Sequence, residues 1–291
     1  MNEILRVIDE SILRVEALKS IDPHLLAMEA RLHKKMSKIF AGAANEVLDQ
    51  LRSHSSLPTD PGQLSRALQP LKDAQASIAE SIYGESVENL SHGGDVVINK
   101  VTRAGFDVKI KPGQWIDSVA REKIRTHAFE ASKTTMDRLV GHVMDNIIDS
   151  YDQGLGIDDA ARRLKQEFVG MRDHELIRVA RTEVNSLQNE GAQQIIESLG
   201  IGYEQWWTSL DERVRDGSDG GADHVMMHGQ IVRVGETFSN GLKHPGDRSG
   251  GQSTISEWIN CRCRVVPFLM PEGMMAPPGK SFFYESDLLN F

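Results

Sequence analysis

The sequence predicts a mostly α-helical protein, with a long helical amino-terminal and central region followed by a small carboxy-terminal α+β module. Three observations support this fold class. Apolar residues recur at helical spacing through most of the first 200 residues. Short extended pieces separated by glycine-rich loops dominate only after Tyr203. The 291 residues suffice for one large domain or two ordinary ones, and no repeat of solenoid length is present.

Residues 1–55 form the first predicted helical region. The apolar positions that recur at helical spacing are Ile4, Ile8, Ile12, Leu25, Met28, Leu32, Met36 and Ile39. Asp22 and Pro23 interrupt the run as a natural N-cap and first helical residue. The polar, proline-bearing stretch 53–62 predicts a linker.

Residues 64–114 are expected to combine a helix with short extended segments. The helix runs from Leu64 towards Ile82 and is broken or restarted at Pro70. Residues 96–98 and 106–110 are rich in β-branched residues and are bounded by glycine and proline, which predicts extended structure.

Residues 115–200 return to helix. An apolar stripe includes Met136, Leu139, Val143 and Ile147, and residues 154–156 end this helix. A second helix starts near residue 158, and a third is predicted over residues 174–199, before Gly200.

Residues 201–270 are expected to form the small α+β module, with short strands near 205–208, 230–234 and 262–266. Residues 271–291 are expected to form a flexible tail that ends in an aromatic and acidic peptide. Two alternatives are open for this peptide: docking into a groove on a partner or on the protein's own helices, or disorder, which is common at a terminus.

Composition restricts the class of protein. The net charge of −9 argues against a broad nucleic-acid interface, which requires a concentrated positive face. The amino terminus lacks the features of a signal peptide, and no apolar stretch is long enough to span a membrane. Two cysteines in so long a chain do not make a secreted disulfide framework, which predicts synthesis in a reducing cytoplasm.

Both cysteines lie in the short segment Cys261-Arg262-Cys263. Thiolate and imidazole are preferred zinc ligands, so a structural metal clip with a histidine would close the glycine-rich loop that precedes them. The alternative is that both are small buried apolar residues, since alternate side chains of a strand point to opposite faces. A disulfide between them is disfavoured because the ring would be small and strained.

A series of short motifs carries a resemblance to a known family. After the Gly154-x-Gly156 turn come Ala180-Arg181-Thr182-Glu183 and Trp207-Thr208-x-x-Asp211-x-Arg213; the later motifs are His224 with Gly229, Pro245-Gly246-Asp247 and Asn260-Cys261-Arg262-Cys263. In order and spacing these resemble the Mu F-like family of phage head morphogenesis or minor head (minor capsid) proteins. The similarity covers roughly residues 115–267.

The resemblance implies a structural virion protein of a tailed bacteriophage, made in the host cytoplasm and located inside the head near the portal vertex. It implies action in head morphogenesis and capsid assembly and in DNA packaging or delivery. The implied partners are the portal protein and other head or scaffold proteins, with packaged DNA as a further contact and no membrane. No enzyme activity defines the family, and no catalytic residue is assigned.

The resemblance also bears on the candidate ligands. Several family members have what looks like a fuller set of metal ligands, with a Cys-x-x-Cys pair before the histidine-containing stretch. Here Arg215 stands in place of the first cysteine and His224 in place of the second. This leaves His224, Cys261 and Cys263 as three ligands for structural zinc, with His228 or His244 as the fourth.

The remaining motif residues are predicted to be structural. Arg181 and Glu183, with Thr182, either anchor their helix to the terminal module or form a solvated helix face. Asp211 and Arg213 are expected to form an ion pair before a turn. Three further motif positions complete the set: Trp207, Asp247 in a turn, and Asn260 before the cysteines. Trp206 and Trp207 face opposite sides of an extended segment, so one is expected in the core and the other against the loop that contains His224.

Two other functions compete with the structural one. A metal-dependent hydrolase would use His224, His228, Cys261 and Cys263, although the chain has no His-Glu-x-x-His helix and no deaminase signature. A nuclease-like protein would contact DNA phosphates through arginines of the terminal module, and the acidic net charge weighs against it. Those arginines are Arg213, Arg215, Arg262 and Arg264.

Overall fold

Helices account for 60% of the described residues and strands for 8%, which confirms the predicted fold class. The computed structural model describes residues 23–209, 212–218, 221–249 and 254–290. The helices are α1 (Pro23–Arg52), α2 (Pro61–Ala67), α3 (Gln69–Arg103), α4 (Ser118–Asp152), α5 (Ile157–Gly170), α6 (Ile177–Ser198) and α7 (Ile255–Trp258). The strands are β1 (Tyr203–Trp207), β2 (Ile231–Arg233), β3 (Arg264–Phe268), β4 (Met274–Met275), β5 (Phe282–Phe283) and β6 (Leu289–Asn290).

The first helices begin where the sequence contains helix-start signals. Helix α1 starts at Pro23. After the linker, the Asp60 carboxylate caps α2 by accepting hydrogen bonds from the backbone N–H groups of Gly62 and Gln63, at 2.9 and 3.0 Å. The predicted positions Ile4, Ile8 and Ile12 lie outside the described residues.

Helix α3 continues through residues 96–98, so the extended segment predicted there is wrong. Val97, Ile98 and Val101 are buried, and this spacing places them on one face of the helix. Burial of that face outweighs the weak preference of β-branched residues for strands. Residues 106–109, also predicted to be extended, are irregular and belong to no strand.

Helices α4 and α6 end close to the glycines that the sequence predicts as helix ends. Gly154 and Gly200 have φ values of 68° and 66°, and each ends a helix in the left-handed conformation that glycine adopts without strain. Between α5 and α6 the chain forms a π-helical segment, Met171–Leu176. None of the helices within the described ranges is apolar enough over a sufficient length to cross a membrane.

The chain divides into two compact units. The first, called here the helical unit, comprises Met28–Ser86 and Ser118–Ala180. Its core is apolar, and Phe40 contacts Phe168 edge to face with ring centroids 5.8 Å apart. The fully buried residues from α1, α4 and α5 that build it include Leu32, Met36, Val47, Leu139, Val143, Ile147 and Leu164.

The second unit, called here the mixed unit, comprises residues 23–27 and 87–117 and the described residues from 181 to 290. Its main sheet has four antiparallel strands in the order β3-β1-β2-β5. Tyr203 of β1 pairs with Arg233 of β2 on one side and with Phe268 of β3 on the other. The core on this sheet is centred on the fully buried Trp206, with apolar residues of α3 and α6 in the same cluster.

The described residues of the carboxy-terminal segment, 271–290, contribute to the same unit. Phe282 and Phe283 form β5 at the sheet edge, paired with Val232 and Ile231 of β2. The Tyr284 hydroxyl donates a hydrogen bond to the backbone oxygen of Met226, at 2.8 Å. The segment expected to be a flexible tail thus extends the sheet, because its aromatic residues cover the apolar edge of β2.

Candidate metal centre

Three side chains with metal-binding atoms meet in the interior of the mixed unit. They are His224, Cys261 and Cys263, whose exposed fractions are only 2%, 2% and 3%. The His224 Nδ1 lies 3.7 Å from the Cys261 Sγ and 3.5 Å from the Cys263 Sγ. All three ligand atoms lie within 4.8 Å of one another, so the group can hold a metal ion.

Both cysteines face one point because the backbone is irregular where they lie. They precede β3, which begins only at Arg264, so the alternation of side chains along a strand does not apply to them. Asn260 has a φ of 54°, a left-handed conformation that asparagine tolerates. The backbone N–H of Cys263 then donates to the Cys261 Sγ at 3.3 Å.

The two nitrogen–sulfur separations are compatible with ligands that share one tetrahedral metal ion such as zinc. With Zn–S near 2.3 Å and Zn–N near 2.05 Å, a tetrahedral angle separates nitrogen from sulfur by roughly 3.6 Å. The two observed separations, 3.5 and 3.7 Å, are close to that value. The donor set of one imidazole and two thiols also has the softness that zinc prefers.

The surroundings of Cys261 favour its thiolate, which is the form of cysteine that binds a metal ion. The hydrogen bond from the Cys263 thiol lowers the pKa of Cys261 well below its usual value, against the effect of burial and with help from His224. Burial raises the pKa of Cys263, and the neighbouring Cys261 raises it further. Burial lowers the pKa of His224, but the hydrogen bond and charge of Cys261 outweigh this, so that its pKa is raised overall.

The other nitrogen of His224 has a partner that fixes the ring. The Nε2 atom lies 3.3 Å from a carboxylate oxygen of Glu257, and the same oxygen accepts a hydrogen bond from the Asn240 amide at 3.0 Å. The Trp206 ring packs edge to face against the imidazole, with centroids 5.4 Å apart. Histidine ligands are commonly oriented by such a carboxylate. Glu257 carries no recognisable signal in the sequence, because nothing in its spacing marks it.

The two histidines suggested as a fourth ligand are engaged elsewhere. The Nδ1 of His228 lies 3.1 Å from the Thr208 hydroxyl, and its ring packs against Trp207. His244 contacts Glu190 through Nε2 at 3.1 Å and its own turn through Nδ1. Within the described residues, the group of converging ligand atoms therefore comes from His224, Cys261 and Cys263, and it does not include His228 or His244.

The helix residues Arg181, Thr182 and Glu183 contact the loops of the mixed unit. Arg181 donates to the Asn260 side-chain oxygen at 2.6 Å, and Thr182 accepts from the Asn260 backbone N–H at 2.9 Å. Glu183 is buried and forms an ion pair with Arg248. These bonds join residues more than sixty positions apart, so the motif fixes the loop that leads into the cysteines.

The turn at residues 244–247 is packed directly on α6. Gly246 has a φ of 84°, and a Cβ built on it would lie 2.8 Å from the Ser186 Cα. Asp247 accepts hydrogen bonds from the backbone N–H groups of Lys243 and Ser249, at 3.0 and 2.7 Å. The turn thus requires both its glycine and its aspartate.

The two tryptophans of β1 and the motif residue Arg213 lie in different surroundings. Trp206 is buried in the core, whereas Trp207 is half-buried and donates from its indole N–H to the Gln205 side chain at 2.8 Å. Arg213 lines a cavity beside His224, Cys261 and Cys263. Its predicted partner Asp211 lies outside the described residues.

The family comparison agrees with this arrangement of motifs. Residues 141–266 match the family described as Phage Mu protein F like protein. The chain carries a phage Mu protein F-like domain. The predicted resemblance is thereby confirmed over these residues, and the family matched is one of phage head proteins that are generally structural. No curated protein and no solved structure matches the chain.

The Mu F-like domain includes all three ligand-type residues as well as Arg181, Glu183, Asp247 and Asn260. The matched region begins at residue 141, within α4, later than the resemblance had suggested. It ends at residue 266, within β3, so β4 to β6 follow it.

The Mu F-like domain also contains a buried carboxyl group that no sequence motif marks. Glu204 in β1 is fully buried, and burial raises its pKa from 4.5 to about 7. One of its carboxyl oxygens accepts a hydrogen bond from Gln193 at 3.3 Å. The burial of Glu204 cannot be read from its position between Tyr203 and Gln205. Alternation along a strand predicts which residues share a face and does not predict which face is buried.

Proposed function

We propose that this protein is a structural minor head protein of a tailed bacteriophage, acting at the portal vertex in head morphogenesis and in DNA packaging or delivery. The match of residues 141–266 to the Mu F-like family carries this proposal. The implied location is the head interior near the portal, and the implied partners are the portal protein and other head or scaffold proteins.

The contacts of the motif residues support a structural function. Arg181 and Thr182 bond to Asn260, and Glu183 bonds to Arg248, so that α6 is tied to segments more than sixty positions away. Asp247 holds its own turn through the backbone N–H of Lys243. Residues that hold distant segments together preserve a shape, and a constant shape is what an assembly component presents to its neighbours.

We further propose that His224, Cys261 and Cys263 bind a structural zinc ion. The supporting observations are the burial of the three side chains and the two nitrogen–sulfur separations of 3.5 and 3.7 Å. When bound, the ion would tie the loop containing residue 224 to the segment before β3. Such a cross-link would stabilise a region that has little regular secondary structure.

A second candidate function is a metal-dependent hydrolase, and one observation favours it. The group supplies three protein ligands and borders a cavity of about 260 Å³, whereas a closed structural site has four ligands. Phosphodiester and ester hydrolysis, measured for the zinc-loaded protein and for Cys261→Ser, would separate the two functions. Turnover that disappears in the variant would favour the hydrolase.

The direct experiment is quantitative mass spectrometry of purified heads from the source phage, in which this chain is counted against the portal protein. A low and reproducible ratio to the portal is expected. Heads that lack the chain, at a depth where the portal is readily detected, would contradict a role in the virion and turn attention to the hydrolase.

A further inference from the structure

The cavity beside the ligand group has an unusual electrostatic lining. It measures about 260 Å³ and is formed by residues 209, 213–215 and 260–263 together with Arg181 and His224. Four of these residues are arginines: Arg181, Arg213, Arg215 and Arg262. Within the described ranges, no aspartate or glutamate lines the cavity.

Two of the four arginines are held in place by the backbone segment that leads into Cys261. The Arg215 guanidinium donates to the backbone oxygen of Ile259 at 2.6 Å. The Arg181 guanidinium donates to the Asn260 side-chain oxygen, also at 2.6 Å. These bonds orient both planar groups before any ligand arrives, which lowers the entropy cost of binding.

The other two arginines differ in exposure. Arg213 is exposed, whereas Arg262 is half-buried between the two cysteines. Four arginines around a partly enclosed space favour an anion there, even in a protein whose net charge is −9. The guanidinium fork is well suited to bind the oxygens of a phosphate group.

We propose that this cavity binds a single phosphate group. The volume accommodates one phosphate and its immediate substituents, whereas a DNA duplex, whose major groove alone is about 12 Å wide, cannot enter. The phosphate comes either from the free inorganic ion or from the end of a nucleic-acid strand. This inference goes beyond the proposed function: a head protein need not bind phosphate, and the arginines act whether or not a metal ion is present.

The test is isothermal titration of the full chain with three ligands: inorganic phosphate, a short single-stranded DNA with a 5′-phosphate, and the same DNA without it. We expect saturable binding of phosphate that weakens as salt is added. Binding of the 5′-phosphorylated strand in preference to the dephosphorylated one would identify the strand end as the source. Binding of phosphate alone would identify the free ion.

Variants locate the site. Arg213→Gln and Arg262→Gln should each weaken phosphate binding by about tenfold, which corresponds to about 1.4 kcal/mol. The control Arg233→Gln changes an exposed arginine of β2 that does not line the cavity and should leave binding unchanged. Because Arg213 is exposed, its variant is expected to fold even if Arg262→Gln does not.

Two results would overturn the proposal. One is the absence of saturable binding of all three ligands by the wild-type protein. The other is an equal loss of affinity in Arg213→Gln and Arg233→Gln, which would indicate a diffuse effect of net charge. Neither result would bear on the presence of the protein in phage heads.

Discussion

The interactions that stabilise the interior of the helical unit differ from those that stabilise the interior of the mixed unit. In the helical unit, long helices bury continuous apolar stripes, with Leu139, Val143 and Ile147 of α4 all fully buried. In the mixed unit, the described strands have two to five residues, and buried polar groups such as Glu204, His224 and Asp247 lie within the core.

The difference shows where each unit is sensitive to change. A core of helix stripes loses stability in proportion to the apolar atoms removed, and neighbouring helices can relax around the change. A core with buried polar groups depends on the pairing and protonation of each group. The mixed unit should therefore respond more strongly than the helical unit to metal removal and to single-atom changes, and the two units should differ in their response to pH.

The largest effect is expected from the ligand group. Cys261→Ser should destabilise the mixed unit by several kcal/mol, on the order of 5, because it removes one of three ligands of a structural ion. Hydrogen exchange should show lost protection in β1 to β3 and unchanged protection in α4 and α5. A matched control is His228→Ala, which changes a histidine of the same unit outside the ligand group.

A metal chelator separates loss of the ion from loss of a buried side chain. Chelation should destabilise the wild-type protein and leave Cys261→Ser unchanged. Equal sensitivity of both proteins to the chelator would argue that these cysteines do not hold the ion.

The next effect concerns the contact between α3 and α6 inside the mixed unit. A Cβ added at Gly93 would lie 1.9 Å from the Gln188 backbone oxygen, and one added at Gly191 would lie 2.0 Å from the Leu90 backbone oxygen. Alanine at either position should destabilise the protein by about 3 kcal/mol, since two backbones must move apart. Thermal unfolding would measure this change.

Gly84→Ala is the matched control for that pair. It lies on the same helix α3, and an added Cβ meets no atom within 4 Å. Alanine there should raise stability by roughly 0.5–1 kcal/mol, because glycine is a weaker helix former. A destabilisation as large as that of Gly93→Ala would refute the proposed close contact.

Glu204 should make the mixed unit less stable at high pH. Its carboxyl group titrates near 7 in the folded protein and near 4.5 when unfolded, so stability falls as pH rises from 4.5 through 7. Glu204→Gln should therefore be more stable than wild type above pH 7, by up to roughly 3 kcal/mol. The difference should vanish below pH 4.5, as chemical unfolding at several pH values would show.

Glu236→Gln provides the control, because Glu236 is exposed in the same unit. Its substitution should change the free energy of unfolding by no more than about 0.5 kcal/mol. If Glu204→Gln also tracked the wild type, the burial of an uncharged carboxyl group in β1 would be excluded.

The smallest effect is the opposite pH response of a glutamate in the helical unit. Burial raises the pKa of Glu85, but hydrogen bonds from Lys35 and Arg31 outweigh this and lower it overall. Its stabilisation is thus present above the unfolded value of 4.5 and lost as pH falls through the folded value. Glu85→Gln should cost about 1 kcal/mol at neutral pH, because its partners are about half exposed.

The Glu85→Gln effect should shrink in acid, the reverse of the direction expected for Glu204→Gln. Unfolding curves at pH 3 and pH 7 are sufficient to test the sign. A cost that grows as pH falls would contradict the ion-pair assignment.

The sequence predicted the regular part of the fold well. Local signals place helix ends at Gly154 and Gly200, and the restart near Pro70 is marked by proline. Residues 96–98 were predicted wrongly, since β-branched residues in a buried helix have the same local composition as a strand. Burial in the tertiary structure decided that conformation. A single sequence does not show which residues become buried in this way.

The candidate site was predictable in its residue types and not in its geometry. Cysteine and histidine content identified His224, Cys261 and Cys263, yet strand alternation argued against convergence of the two thiols. The turn at Asn260, with φ of 54°, removes that obstacle and depends on contacts with Arg181 and Thr182 some eighty residues away. Glu257 and Glu204 were missed because their roles arise from burial and from partners distant in sequence.

The most direct test of this account is the zinc content of the full chain, purified without chelators and measured by elemental analysis alongside a thiol titration. The account predicts about one zinc ion per chain, two thiols that react only after chelation, and no zinc in Cys261→Ser. A folded wild-type protein with no zinc and two thiols that react only on unfolding would contradict it, and would leave the cysteines as buried core residues.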